Sequence, residues 1–236
     1  MRSPQIRSYV AIASIVAISI AVTPADAGFP ALNVQWKLDG GIVLDEMPMG
    51  APNGMGGFVY TGGGDLGGVL MTYSLVGIPD ARVSANYTLE NFSMATVEVE
   101  LWVTLPITPA VTAPSILTGS VAVGMTADAD GGTLAALPGV AFWQAIIDGT
   151  ALGGGTDLLT DLLLDRPGIG GMGDSGSFLQ LPGPEALNEI GILITFTLTA
   201  GEQMSLTSVF NVVPIPGPDG LAVFGLATLF VRRRRR

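Results

Sequence analysis

Apolar and polar residues alternate with a period of two along much of this chain. Val69, Met71, Tyr73 and Leu75 alternate in one run, Val83, Ala85, Tyr87 and Leu89 in a second, and Val97, Val99, Leu101, Val103 and Leu105 in a third. Successive side chains of a strand point to opposite faces, so this pattern gives one buried and one wetted face and suits no helix. Arg82, Ser84, Asn86, Thr88 and Glu90 fall on the wetted face of the second run, and Glu98, Glu100, Trp102 and Thr104 on that of the third. Short links join the three runs, which predicts three antiparallel neighbours. The expectation is an all-β fold, an antiparallel β-sandwich of jelly-roll or Ig-like type with about nine or ten strands.

The remaining segments fit that frame unevenly. Leu32, Val34, Trp36 and Leu38 alternate up to Asp39-Gly40, a tight hairpin turn before Ile42 and Leu44. Residues 46–68 read as glycine-rich loop, with a short strand at Phe58 to Tyr60; the triple glycine at 62–64 is no phosphate loop, because neither Lys-Ser/Thr nor a helical pattern follows. Pro106, Pro109 and Pro114 end the third run, and a further strand is expected over Ser120 to Thr126. Residues 140–165 support an alternating and a helical reading; in the second, Leu158, Leu159, Leu162 and Leu163 form a stripe on one short helix with Thr156 as N-cap. Residues 166–189 read as loop. A last hairpin pairs Ile192, Ile194, Phe196 and Leu198 with Met204, Leu206, Phe210 and Val212.

The absence of both Cys and His from the sequence excludes disulfides, thiolate or imidazole metal sites, Cys nucleophiles and Ser-His-Asp triads. Between Gly28 and Val213, Lys37, Arg82 and Arg166 face 18 acids. A surface that acidic repels phosphates, so nucleic acid is not an expected partner. Gly173-Asp174-Ser175-Gly176 has the look of a serine-protease nucleophile loop, but no general base exists for it. Asp128-Ala129-Asp130-Gly131 has the carboxylate and glycine spacing of part of a calcium loop, which makes Asp128 and Asp130 candidate ligands once carboxylates from elsewhere join them; the bland reading is a plain β-turn. Asn86-Tyr87-Thr88 and Asn91-Phe92-Ser93 are formal glycosylation sequons. Trp36, Trp102 and Trp143 are candidates for a sugar-stacking platform. Glu98 and Glu100 share a strand face, where a solvated acidic face is expected rather than a glycosidase pair. The inventory points away from an enzyme.

Both ends carry addressing patterns. Residues 1–27 read as a secretory signal peptide: Arg2 and Arg7 precede an apolar run of 13 residues from Val10 to Val22, and Ala25-Asp26-Ala27 supplies the small-x-small cleavage pattern. Residues 28–212 form the expected β-sandwich domain. The tail, 213–236, reads VPIPGPDGLAVFGLATLFVRRRRR: a Pro/Gly spacer, an apolar run from Leu221 to Val231 and the cluster Arg232, Arg233, Arg234, Arg235 and Arg236. At 1.5 Å per residue that apolar helix covers about 16 Å, short of the ~30 Å hydrocarbon core, which suits a temporary membrane stop; a permanent anchor is the alternative.

The tail resembles the C-terminal sorting signal of the PEP-CTERM proteins. Pro214, Ile215 and Pro216 occupy the Pro-x-Pro element, with Ile215 where the family name has Glu, and Gly217 continues a Pro-x-Pro-Gly variant. The resemblance implies an inner-membrane exosortase-like sorting enzyme as partner, transient membrane residence, and an exported, non-enzymatic body at the bacterial cell surface or in the extracellular matrix, linked to exopolysaccharide and biofilm. The alternative function is a carbohydrate-binding or adhesive module assisted by calcium.

Overall fold

In the computed structural model, which describes residues 31–215, the period of two becomes a period of burial: Val83, Ala85, Tyr87 and Leu89 are buried while Arg82 and Asn86 are exposed. The segment read as a signal peptide, ending at Ala27, and the tail from Pro216 onward lie outside the described residues. The strands are β1 (Asn33–Leu38), β2 (Gly41–Glu46), β3 (Ala51–Pro52), β4 (Phe58–Asp65), β5 (Val69–Ile78), β6 (Arg82–Asn91), β7 (Val97–Pro106), β8 (Ser115–Ala127), β9 (Gly132–Ala135), β10 (Trp143–Ile147), β11 (Thr150–Ala151), β12 (Leu163–Arg166), β13 (Gly170–Gly183), β14 (Glu189–Leu198) and β15 (Gln203–Pro214).

They form two antiparallel sheets stacked as a β-sandwich. The front sheet runs β13-β8-β15-β6-β5-β4-β3, and the back sheet β11-β10-β14-β7-β1-β2, with β9 joining β14 and β12 joining β9. From β6 onward the pairings nest: β6 with β15, β7 with β14, β8 with β13, β9 with β12 and β10 with β11. A single long antiparallel ribbon is thus folded back and forth between the two layers. Wherever one arm changes sheet, the other crosses beside it.

Those paired crossings settle the backbone polar groups that would otherwise be stranded at the sandwich ends. At one end, residues 92–96 and 199–202 cross together, joined by Asn91 N–H to the Glu202 carbonyl (2.9 Å) and Gly201 N–H to the Asn91 carbonyl (2.7 Å). The Asn91 amide, fully buried, adds bonds to the carbonyls of Ala95 (2.9 Å) and Leu198 (3.0 Å). At the opposite end Val111 and Ala186 exchange two bonds of 2.8 Å, and Ile107 N–H reaches the Asn188 carbonyl at 3.0 Å. The described chain both starts and stops at this second end: Asn33 pairs with Thr104, and Ile215 N–H bonds the Pro114 carbonyl at 2.9 Å.

Aromatic groups lock the layers. Trp143 of the back sheet is wholly buried against the front sheet, its indole N–H donating to Ser208 Oγ at 2.5 Å and its ring 5.8 Å from Phe178 and 6.1 Å from Phe210. Small residues make room for it: a Cβ on Gly119 would stand 2.8 Å from the indole and 2.5 Å from the Phe178 ring. A second stack links Trp36 to Tyr73 and Tyr73 to Tyr87, with centroids 6.4 Å apart in each pair.

Asp39-Gly40 makes the hairpin turn expected of it, with φ of 48° and 77° as a type I′ turn requires. Other expectations are corrected. The runs containing β5, β6 and β7 are not three neighbours: β5 pairs β6, but β7 lies in the back sheet between β14 and β1. The last two strands form an arch rather than a hairpin, because β14 and β15 belong to opposite sheets and face each other across the core. The triple glycine lies within β4, and the segment read as loop over 166–189 contains β13, a strand along the front sheet's edge. No α-helix forms over 140–165: residues 143–147 are β10, and Gly154–Thr156 is a single 3-10 turn, with Thr156 Oγ1 donating to the Gly153 carbonyl at 2.9 Å. Leu158 pairs with Trp143 as an isolated bridge, while Leu159 sits at φ 55°, outside any right-handed helix.

Removing the interlayer indole leaves a large void beside an unpaired Ser208 hydroxyl. Trp143→Ala is expected to cost about 3–5 kcal/mol, read as a lowered urea midpoint, whereas Trp102→Ala on the outer face is expected to change it by less than a third as much.

Candidate functional site

The three tryptophans do not converge. Trp36 and Trp143 are buried in the core, and Trp102 alone is half-exposed, on the outer face of the back sheet. There its indole N–H donates to Glu100 Oε1, the same oxygen that Lys37 Nζ approaches to 2.5 Å, and Lys37 lies 5.7 Å from the Trp102 ring centroid. Glu100 is therefore committed to a local charge and ring cluster, and Glu98 stands exposed beside it. Nothing in this arrangement opposes two carboxylates across a cleft as glycoside hydrolysis requires.

The outer face of the front sheet is of another kind. Asn86, Thr88, Ala122, Gly124, Ser205 and Thr207 line a shallow groove of about 410 Å³ across β6, β15 and β8, in which Thr207 Oγ1 donates to Asn86 Oδ1 at 2.9 Å. The groove exists because small Ala122 and Gly124 lie beside taller Thr and Asn side chains. It offers hydroxyl and amide groups and no charge. The Asp174-Ser175 pair lies on the edge strand β13, with Ser175 N–H bonded to Asp174 Oδ1 at 2.7 Å. Of the two sequons, Asn86 is exposed, whereas the Asn91 amide is buried and fully bonded, so no glycan can be attached there in the folded state.

Asp128 and Asp130 sit at the paired-crossing end, between β8 and β9, both exposed. The turn is closed by Gly131 N–H to the Asp128 carbonyl (3.3 Å) and by Asp130 N–H to Asp128 Oδ1 (2.9 Å). Beneath it lies a residue the sequence reading passed over. Glu202 is fully buried, and neither carboxylate oxygen has a hydrogen-bond partner. Contacts around the glycines show how tightly the groups are stacked: a Cβ on Gly132 would stand 2.1 Å from Glu202 Oε1, and one on Gly201 (φ 80°) 2.6 Å from Asp128 Oδ2. The turn thus forms a lid over Glu202, with the Asp128 carboxylate on the adjoining crossing.

Burial pushes the Glu202 carboxyl above its ordinary range, and the Asp128 charge pushes it further; the Asp128 backbone N–H, directed toward it without completing a hydrogen bond, offsets part of the rise. Among the described residues the one ion pair is Lys37 with Glu100, so no cationic side chain neutralises this pair of carboxylates. Nor do three or more Asp or Glu side chains gather there as a complete metal cage.

The Pro-x-Pro element that resembles a sorting motif begins inside the sheet. Pro214 is the last residue of β15, paired with Ser115, and Ile215 is exposed just beyond. Pro216, Gly217, Arg232, Arg233, Arg234, Arg235, Arg236, Ala25 and Ala27 lie outside the described residues. Among the described residues no helix is long and apolar enough to cross a membrane.

The sign of the Glu202 effect follows from its raised value. The folded protein holds this proton more tightly than the unfolded chain, so the contribution is complete below the unfolded-state pKa and is lost as pH rises through the folded-state one. In metal-free buffer Glu202→Gln is therefore expected to melt above the wild type at about pH 7 and to converge with it near pH 4, around the ordinary Glu pKa. Parallel melting-temperature profiles across that interval would instead mean that the carboxylate is as well solvated folded as unfolded.

Compared with known proteins, the chain matches no family model, and no curated protein is similar to it.

Proposed function

We propose that this chain is an exported, non-enzymatic bacterial β-sandwich of the cell surface or extracellular matrix, sorted through its C-terminal membrane signal. The observation that carries this reading is the continuity of β15 with the tail: the strand ends at Pro214, and Ile215 is still bonded to Pro114. The Pro-Ile-Pro-Gly element therefore starts on the last residue of the strand, Pro214, at the same end as the first described strand. An exosortase-like enzyme is the proposed sorting partner, with residence in the inner membrane lasting until the tail is removed. The nesting of β6 with β15 through to β10 with β11 supports the jelly-roll form of sandwich over the Ig-like one.

A second reading, a carbohydrate-binding or adhesive module, draws on the uncharged hydroxyl and amide groove of the front sheet. Neutral polysaccharide is its proposed ligand. It is compatible with the first, since sorting brings such a face to the matrix.

Mass spectrometry of the exported protein tests the sorting reading. A mature C-terminus falling between Pro214 and Leu221 is expected, together with an N-terminus at Gly28; an exported chain that retains Arg236 overturns tail processing.

A further inference from the structure

We propose that Glu202 and the Asp128 turn form a binding site for one hard divalent cation of the calcium class. The inference stands apart from the sorting reading, because it uses only the sandwich end formed by residues 128–132 and 199–202.

An acidic turn alone would carry little, since Asp and Gly are favoured in β-turns for their backbone geometry. The separate observation is Glu202, a carboxylate with no exposed surface and no hydrogen-bond partner, held under that turn by Gly132. A buried charge in that position demands a counter-charge or a proton. The basic side chain near this end, Arg166, does not supply one: its guanidinium lies against Gly170, 3.5 Å from the Ile169 carbonyl. Asp128 instead brings a second negative charge alongside. Two neighbouring carboxylates with no cationic side chain paired to either have the chemistry of a cation bridge.

The donors are all oxygens, which selects a hard cation over zinc or copper. Calcium accepts about 6–8 oxygen ligands in flexible geometry and magnesium demands a near-ideal octahedron. With two carboxylates available, the other positions fall to backbone carbonyls and water. That count places the affinity in the weak class of extracellular modules, with Kd of about 10⁻⁴–10⁻³ M. Such a site fills outside the cell and stays vacant at cytosolic calcium levels. The acidic surroundings, 18 acids against three bases over residues 28–213, raise the local cation concentration. Asp130 is not required: its backbone N–H holds Asp128 Oδ1 in place.

The test is thermal melting of the full-length protein in mild detergent, with EDTA or with calcium chloride up to about 10 mM. A rise of about 2–4 °C is expected for the wild type and a smaller one with magnesium. Glu202→Gln and Asp128→Asn are each expected to abolish the calcium response, while Asp45→Asn on β2 keeps it. Because Asp128 is exposed, its variant remains informative should Glu202→Gln fail to fold. A wild type that ignores calcium, or variants that respond as fully as the wild type, would each overturn the site.

Discussion

The fold depends on how a two-stranded ribbon turns a corner. When the arms β6–β7 and β14–β15 pass from one sheet to the other, they leave both ladders at once, and the backbone groups of buried Asn91 and Glu202 would lose their ladder partners. Asn91 resolves this. Its backbone and side chain together bond Gly201, Glu202, Leu198 and Ala95, so the two crossings hold each other instead of each needing its own cap. Its side-chain oxygen also accepts from Ser93 N–H at 3.0 Å and shapes the loop that follows. A buried amide with all its valences met is worth far more than its size suggests, because removing it strands its partners as well.

Glu202 is a product of the same corner. The arch between β14 and β15 must place some side chain between the layers at that end, and here it is a carboxylate, covered by the β8–β9 turn that crosses nearby. Closure of the sandwich and the electrostatic tension at its end are therefore one event. Any group that relieves the tension, proton or cation, binds the folded state more tightly than the unfolded one, and so stabilises the closed end by mass action. The polar outer faces stand apart from this coupling: the front groove and the Lys37, Glu100 and Trp102 cluster are presented by strands whose inner residues do the packing.

The sequence was most legible where structure is decided locally. Asp39-Gly40 announced its turn because both residues tolerate positive φ, and β5, β6 and β7 announced their faces because alternation reports burial directly. Alternation does not report which sheet a strand joins, since a residue buried from the front and one buried from the back look alike; hence β7 and β14 were assigned the wrong neighbours. Glycine-rich β13 carries almost no alternation, having few side chains to point either way, and it persists as a strand through its backbone bonds to β8. The leucines at 158, 159, 162 and 163 imitate a helical stripe, but Leu158 answers to Trp143 and Leu163 is exposed. Asp128 and Asp130 were visible as a turn with chemistry, whereas Glu202 gains its meaning from a crossing that brings it in from a distant stretch of chain.

The nesting also dictates an order of events during synthesis. β15 lies between β6 and β8 and is the last of the described strands in chain order, with Gln203 opposite both Glu90 and Thr126. Until residues near Pro214 have emerged, the front sheet has a gap at its centre that no earlier segment can fill. The growing chain can collapse but cannot close, and such long-range closure is intrinsically slow.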